Sequence, residues 1–580
     1  MALRLKIVSI IYGMVVLAVL VKLFHWQIIM GSELSLQARS QQTSSEKISA
    51  HRGEILSSDG TAIASTREAW LLHANPSQVE ESAKSIAETL APIFVEQPQE
   101  ASPEAQTMYK QYLSNETSRI TELLSDKEMV WVPIKSKLTT DVKDNITDMN
   151  ILGLNMERQE ARFYPEGSAA AHLLGFVGKD DAGNDKGYFG LEGYYQLSLA
   201  GKPGFRVREA NALGAPILVG SGREMSASEG VNLVTTIDKT VQLLAEKKLK
   251  EGIEKYGAKA GTVIVMNPKT GGIMAMASAP SYDPEKYYNY NDELFRNPSI
   301  ADSFEPGSIF KPIVMAAGID AGVVGPSSVC DICSSAYKID KYYIRTWNNE
   351  YHANSTMTDV LKHSDNVGMV YVGNKLGIDK LHQYLVDFGF GSQTGIDLQG
   401  EMTPVLRSRE SWSVVDLATA AFGQGVAATP IQIVRAVGAL ANEGKILVPK
   451  VVAALSLDGW NEELPVAEGR QIISKETADK VVGMMEVAAE DGEAKWAIPK
   501  GFRIAGKTGT AQIPVEGHYD EDKTIASFVG FAPANDPKFV MLVTLREPES
   551  SQWASETAAP LWFGIAKELF RHLNIRPEIY

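Results

Sequence analysis

Phe304-Glu305-Pro306-Gly307-Ser308-Ile309-Phe310-Lys311 is the stretch on which the reading of this 580-residue chain turns. Glu305-Pro306-Gly307 is a helix-start signal and the run after it is apolar with helical spacing. The i and i+3 positions then stack the Lys311 amine above the Ser308 hydroxyl on one helix face. An alcohol with a pKa far above 7 needs such a base beside it to become a nucleophile. A lysine serves if burial or a neighbouring cation lowers its own pKa. The same Ser-x-x-Lys spacing at Ser44 to Lys47 lies in a polar stretch without a helix start and reads as structural.

Two further motifs follow in order, Ser364-Asp365-Asn366 and Lys507-Thr508-Gly509-Thr510. Ser364 and Asn366 offer a second hydroxyl for proton relay and an amide for a substrate backbone, although this triplet alone is equally a helix cap. The strand-like Phe502 to Ala505 precedes the third motif and predicts a sheet edge facing the serine. There Lys507 attracts a substrate carboxylate, Thr508 and Thr510 donate hydrogen bonds, and Gly509 lets a ligand approach the backbone. A second Lys-Thr-Gly, Lys269 to Gly271, reads as a hairpin turn.

The surroundings of these motifs predict an α+β domain. Val231 to Ile237 alternates as a strand, Thr240 to Tyr256 reads as a helix, and Thr262 to Met266 with Gly272 to Ala277 reads as a hairpin. Helical spacing dominates to about residue 440. Strand-like runs return at Phe502 to Ile504, Ile525 to Phe531 and Phe539 to Leu545, before an amphipathic helix at Ala558 to Leu573. Strands at both ends of a helical block imply that the first and last segments share one sheet.

Toward the N-terminus, residues 31 to 225 read as short strands and turns, interrupted by a polar helical pair or arm at Glu96 to Lys127. Ile7 to Phe24 is apolar except for Ser9 and Lys22, and eighteen residues in a helix span roughly 27 Å, close to the hydrocarbon thickness of a bilayer. Arg4 and Lys6 precede this run, so the positive-inside rule predicts a cytoplasmic N-terminus and a large extracytoplasmic part. The residues after it, Lys22, Phe24, His25, Trp26 and Gln27, argue for an uncleaved anchor over a signal peptide. The expected division is 1–30 for tip and anchor, 31–227 for an N-terminal module, and 228–580 for the catalytic domain.

Composition narrows the classes of function. With 56 Lys and Arg against 71 Asp and Glu the net charge is −15, and no basic cluster suited to nucleic acid occurs. Cys330-Asp331-Ile332-Cys333 lacks the two further ligands of a zinc site and reads as a local disulfide or a pair of thiols. No metal or organic cofactor is expected. His518 reads as a loop residue.

The three ordered motifs resemble the penicillin-recognising serine acyltransferases. The likeness extends to the class B penicillin-binding proteins through His51-Arg52-Gly53-Glu54-Ile55-Leu56-Ser57-Ser58-Asp59-Gly60, Arg162-Phe163-Tyr164-Pro165, Gly187-Tyr188-Phe189-Gly190-Leu191-Glu192 and Phe422-Gly423-Gln424-Gly425. Phe304-Glu305-Pro306-Gly307-Ser308 resembles the cell-division, FtsI-type branch more than the elongation branch. Ile309 departs from the small polar residue common after the nucleophile.

The resemblance implies an elongated β-rich pedestal or dimerisation-like module at 31–227. It also implies a transpeptidase domain of an antiparallel sheet flanked by helices plus an all-helical subdomain. It implies Ser308, Lys311, Ser364, Asn366 and Lys507 as catalytic residues and Thr508, Gly509 and Thr510 as substrate-binding ones. Peptidoglycan stem peptides ending in D-Ala-D-Ala are the implied substrate, with β-lactams acylating the same serine. The chain lacks the glycan-polymerising signature of bifunctional enzymes, which implies an FtsW-like, SEDS-type glycosyltransferase and other division proteins as membrane partners. The rival readings are an elongation enzyme, a hydrolase with the same site, and a non-catalytic scaffold or antibiotic sensor.

Overall fold

The structure is a computed structural model that describes residues 2–35, 43–48, 50–98, 102–209, 223–515 and 518–578. Its N-terminal helix, Ala2–Phe24, runs on as a π-turn over His25–Ile29, and Leu3–Ile29 is long and apolar enough to cross a membrane. Apolar side chains are exposed all round this helix. A helix that hides no apolar stripe in the protein is one made for lipid or another apolar partner.

By their contacts the residues form two compact units, Met1–Arg52 with Ala200–Gly230, and Gly53–Leu199 with Val231–Tyr580. The first holds a three-stranded antiparallel sheet of Thr43–Ile48, Gly204–Glu209 and Arg223–Met225. Ser44 and Lys47 lie within its first strand, away from any helix start.

In the second unit a seven-stranded sheet joins residues from both ends of the chain. Ile55–Leu56 pairs in parallel with Asn232–Thr235, which pairs with Val452–Leu457, while Ala62–Ala74 carries Val132–Leu138 and Leu154–Phe163. The expected polar insertion is the helix Pro103–Ser125, capped by Ser102 and packed through Ile120 and Leu124 on Ala83–Phe94.

Three of the family-like boxes meet around one buried ion pair. The Arg162 Nε donates to Glu192 Oε1 at 2.6 Å, and its Nη1 donates to the Gly53 carbonyl at 2.8 Å. Both side chains are at most 2% exposed. A Cβ on Gly53 would lie 2.1 Å from the Val231 carbonyl, so only glycine fits where the two backbones pass this closely.

The catalytic sheet has five antiparallel strands, β1 (Ala260–Met266), β2 (Ile273–Ala279), β3 (Ala505–Val515), β4 (His518–Ala532) and β5 (Phe539–Arg546), in the order β2-β1-β5-β4-β3. The early hairpin and the last strands of the domain do share one sheet, whereas its first strand, Asn232–Thr235, pairs in the seven-stranded sheet instead. Strand β5 is buried at seven of its eight positions because helices cover both faces, so its pattern is a continuous apolar run and not an alternation. On one face lie α1 (Lys239–Tyr256) and the C-terminal helix Ala558–His572, whose Trp562 donates its indole N–H to the Met541 carbonyl at 2.8 Å.

Two expectations shift. Phe502 to Ile504 precedes strand β3 and is not part of it. Phe502 stacks on Phe570 with ring centroids 4.1 Å apart, and Arg503 pairs with Glu486 at 2.7 Å, so these residues tie a loop to the last helix and to the helix Lys475–Glu490 instead of joining the ladder. His518, expected in a loop, opens β4 opposite Val515. The Lys269 to Gly271 hairpin turn is as expected, closed by the Gly271 N–H on the Asn267 carbonyl.

Candidate active site

Ser308 sits in a single 3-10 turn, Gly307–Phe310, that feeds α2 (Lys311–Asp320). Nine of the ten residues of α2 are buried, an apolar helix wrapped on every side, and Lys311 is among them at 0% exposure. The turn is held from two directions. The Gly307 N–H donates to the Gly423 carbonyl, Phe304 and Ala428 exchange a pair of 3.0 Å backbone bonds, and the Gly425 N–H donates to Glu305 at 2.9 Å. A Cβ on Gly423 would lie 2.2 Å from the Gly307 carbonyl, which explains the glycine there.

From the other side comes edge strand β3. A Cβ on Gly509 would lie 2.8 Å from the Ile309 side chain and 2.9 Å from its backbone nitrogen. Gly509 thus sets how closely the sheet edge approaches the serine turn, and Ile309 is the residue that fills the contact.

The second motif closes the site. Ser364 adopts a left-handed backbone with φ 54°, uncommon for a residue with a side chain, and in that conformation both its carbonyl and its hydroxyl reach Lys311. Lys311 Nζ donates to the Ser364 carbonyl at 2.5 Å, to its Oγ at 3.2 Å and to Asn366 Oδ1 at 2.7 Å. The Asn366 amide is fixed in turn by donating to the Arg345 carbonyl at 2.9 Å. Asp365 is the helix cap, with Oδ1 accepting from the Val367 and Gly368 N–H groups at the start of α3 (Asn366–Asp387). The helix-cap reading of this triplet therefore holds, and the residues on either side of the cap, Ser364 and Asn366, both meet Lys311.

Lys507 is 4% exposed and donates to the Thr508 carbonyl and hydroxyl at 3.3 and 3.2 Å. The Thr508 hydroxyl spends its own proton on Glu493 Oε2 at 3.0 Å, while Thr510 Oγ1 accepts from the Ala554 N–H at 3.0 Å and keeps its proton to donate. Neither Lys311 nor Lys507 forms an ion pair among the described residues. Burial and the Lys507 cation drive the Lys311 amine well below its ordinary value, against the pull of Asp365 and Glu493. Burial lowers Lys507 as well, opposed by Glu493. An amine whose charged form burial disfavours, three residues along the chain from the half-buried Ser308, has the character of a general base.

All eight residues picked from the sequence are thus gathered at one edge of the sheet. Glu493 was missed, because it follows a helix at 475–490 that the apolar spacing did not reveal, and no motif marks it. Trp347 and Trp553, edge-on at 5.0 Å, were also missed. The two cysteines are buried and disulfide-bonded, outside these contacts.

Fold and site together define a serine acyltransferase of the penicillin-recognising type. The model of the penicillin-binding protein transpeptidase domain matches residues 261–571, and that of the penicillin-binding protein dimerisation domain matches 47–235. The chain belongs to the class B penicillin-binding proteins, FtsI-like in type. It is 31% identical to the stage V sporulation protein D of Bacillus subtilis over 98% of its own length and 85% of that protein's. It is also 31% identical to the peptidoglycan D,D-transpeptidase FtsI of Escherichia coli over 77% of this chain and 73% of that one. Penicillin-binding protein 3 of Mycobacterium tuberculosis, solved with aztreonam, shares the fold with a TM-score of 0.68 at 24% identity, covering 92% of this chain and 98% of that one.

Proposed function

We propose that the protein is a peptidoglycan D,D-transpeptidase that cross-links stem peptides through an acyl-serine intermediate, acting in septal wall synthesis. The observation that carries it is the Lys311 amine, buried without a counter-ion and held by Ser364 and Asn366 at the start of the Ser308 helix. In this reading Ser308 attacks the penultimate D-Ala carbonyl and passes its proton to Lys311. The backbone N–H groups of Ser308 and Thr510 hold the oxyanion, worth about 3 kcal/mol per donor. Ser364 relays the proton to the departing D-Ala, and Lys507 attracts the substrate carboxylate beside Thr508, Gly509 and Thr510. An amine of a second stem peptide then resolves the ester. β-Lactams stop at the ester.

In this reading 1–30 is the tip and anchor, 31–227 the N-terminal module and 228–580 the catalytic domain. The apolar helix at Leu3–Ile29, which carries Arg4 and Lys6 in its first turn, supports a single crossing with the catalytic domain outside. An FtsW-like glycosyltransferase and other division proteins are the proposed membrane partners. The longer match to the sporulation protein favours a second setting for the same chemistry, a wall made during spore formation.

Labelling of the purified protein with a fluorescent penicillin tests the site: the label is expected on the wild type and absent from Ser308→Ala. Label that persists in Ser308→Ala overturns the nucleophile assignment. Cross-linked dimers from a D-Ala-D-Ala donor, as opposed to free D-Ala alone, separate a transpeptidase from a hydrolase.

A further inference from the structure

Beside the second and third motifs lies a cleft of about 220 Å³, lined by Thr346, Trp347, Glu350, Asp365, Asp491 and Glu493 among others. Four carboxylates face one lysine there, Lys362, which lies 3.8 Å from Asp491. His352 and His363 stack in the same wall with ring centroids 4.5 Å apart, and burial lowers His363, which disfavours its charged form. Three of the carboxylates are engaged: Glu350 by Asn348, Asp491 by Lys362, and Glu493 by Thr508.

The fourth is different. Asp365 is 2% exposed, and its Oδ2 has no hydrogen-bonding partner among the described residues. Thr346, 7% exposed and lining the same cleft, has an equally unpartnered hydroxyl. Buried polar atoms left this way cost free energy unless something meets them.

A primary ammonium fits this set. It carries three N–H donors and a full positive charge, and a stem-peptide side-chain amine stays protonated near neutral pH because its pKa is about 10.4. Asp365 Oδ2, the Thr346 oxygen and Glu493 are three acceptors, and the exposed Trp347 ring offers a face to a cation. The cleft also adjoins the reacting groups, since Asp365 lies between the two residues that hold Lys311, and Glu493 is bonded to Thr508 of the third motif.

We propose that this cleft is the acceptor subsite, where the ammonium group of the second stem peptide docks on Asp365, Thr346 and Glu493 before attacking the acyl-enzyme. The inference rests on the transpeptidase reading above. The docked R–NH3+ first releases one proton to solvent. The free amine then forms the C–N bond to the acyl carbon, and the C–Oγ bond to Ser308 breaks. The second proton passes from nitrogen through Lys311 to the Ser308 oxygen, so an ester and an ammonium become an amide, a serine hydroxyl and one proton.

The test uses the full chain in detergent with a D-alanyl thioester donor and two acceptors, Nα-acetyl-lysinamide, charged at pH 7, and hydroxylamine, which is neutral there. Mass spectrometry reads the ratio of amide or hydroxamate to hydrolysed product for the wild type, Thr346→Val and Asp491→Asn. The ratio for the lysine derivative is expected to fall about tenfold in Thr346→Val, which removes a docking group, and by a smaller factor in Asp491→Asn, which removes only a nearby negative charge, with the hydroxylamine ratio unchanged in both. The hydroxylamine arm also shows that each variant is folded and acylated. A lysine ratio that stays at the wild-type value, or that falls only in step with the hydroxylamine ratio, overturns the acceptor subsite. Failure of the wild type to form any acyl-enzyme would instead bring down the transpeptidase reading itself.

Discussion

Two regions of this molecule bury positive charge, and they do it in opposite ways. Where the boxes at His51–Gly60, Arg162–Pro165 and Gly187–Glu192 meet, Arg162 is sealed in with its counter-ion, 2.6 Å from Glu192. At the sheet edge, Lys311 and Lys507 are sealed in with neutral oxygens for partners. The first arrangement pairs the charge and ties three segments together. The second makes ionisation costly, and costly ionisation is what turns a lysine into a base. The same physics, desolvation of a cation, serves architecture in one place and chemistry in the other.

The sharpest way to break this contrast is to remove the charge from each region. Lys311→Met should slow acylation by a fluorescent penicillin by about 10⁴-fold, the upper range for losing a general base, while leaving the thermal midpoint equal or higher. A clear fall in that midpoint would mean that Lys311 is structural after all. Arg162→Met should do the reverse, costing about 3–5 kcal/mol in a denaturant titration because Glu192 is left buried alone. Adding Glu192→Leu to it should recover part of that loss, and a double variant as unstable as the single one would deny that the pair is the unit.

Smaller effects sharpen the picture of the catalytic edge. Gly509→Ala pushes a methyl group into Ile309 and should lower the acylation rate by about 10²-fold, the scale of a misplacement near 1 Å. An unchanged rate would show that the edge strand is free to retreat.

The smallest expected effects are on pH. The lowered value of Lys311 means that acylation is present above that value and lost as pH falls through it. Glu493 pulls the value up, so Glu493→Gln should move the acidic limb to lower pH. Lys507 pushes it down, so Lys507→Ala should move the limb to higher pH, and shifts of the same sign in both variants would contradict the arrangement.

Local signals explain why so much of the site was legible beforehand. The Ser308 and Lys311 spacing, the Asp365 cap and the Gly509 approach are properties of a few consecutive residues, and helix geometry or glycine's lack of a Cβ carries them directly. Strand β5 and the last helix were legible for the same reason, since their apolar runs are long. The boundary of β3 was misjudged because Phe502 is apolar for a tertiary reason, its stacking on Phe570. The helix Lys475–Glu490 was missed along with the turn after it, and Glu493 with them.

Sequence alone determined the apolar N-terminal helix, the class of fold and the three motifs, because each is encoded in neighbours along the chain. Only the tertiary structure decided that Lys311 is without a carboxylate partner, that Ser364 takes the left-handed backbone to reach it, and that Glu493 meets Thr508. Those are matters of which distant residues exclude water from a charge. Desolvation is a property of the packed molecule, which no spacing along the chain expresses.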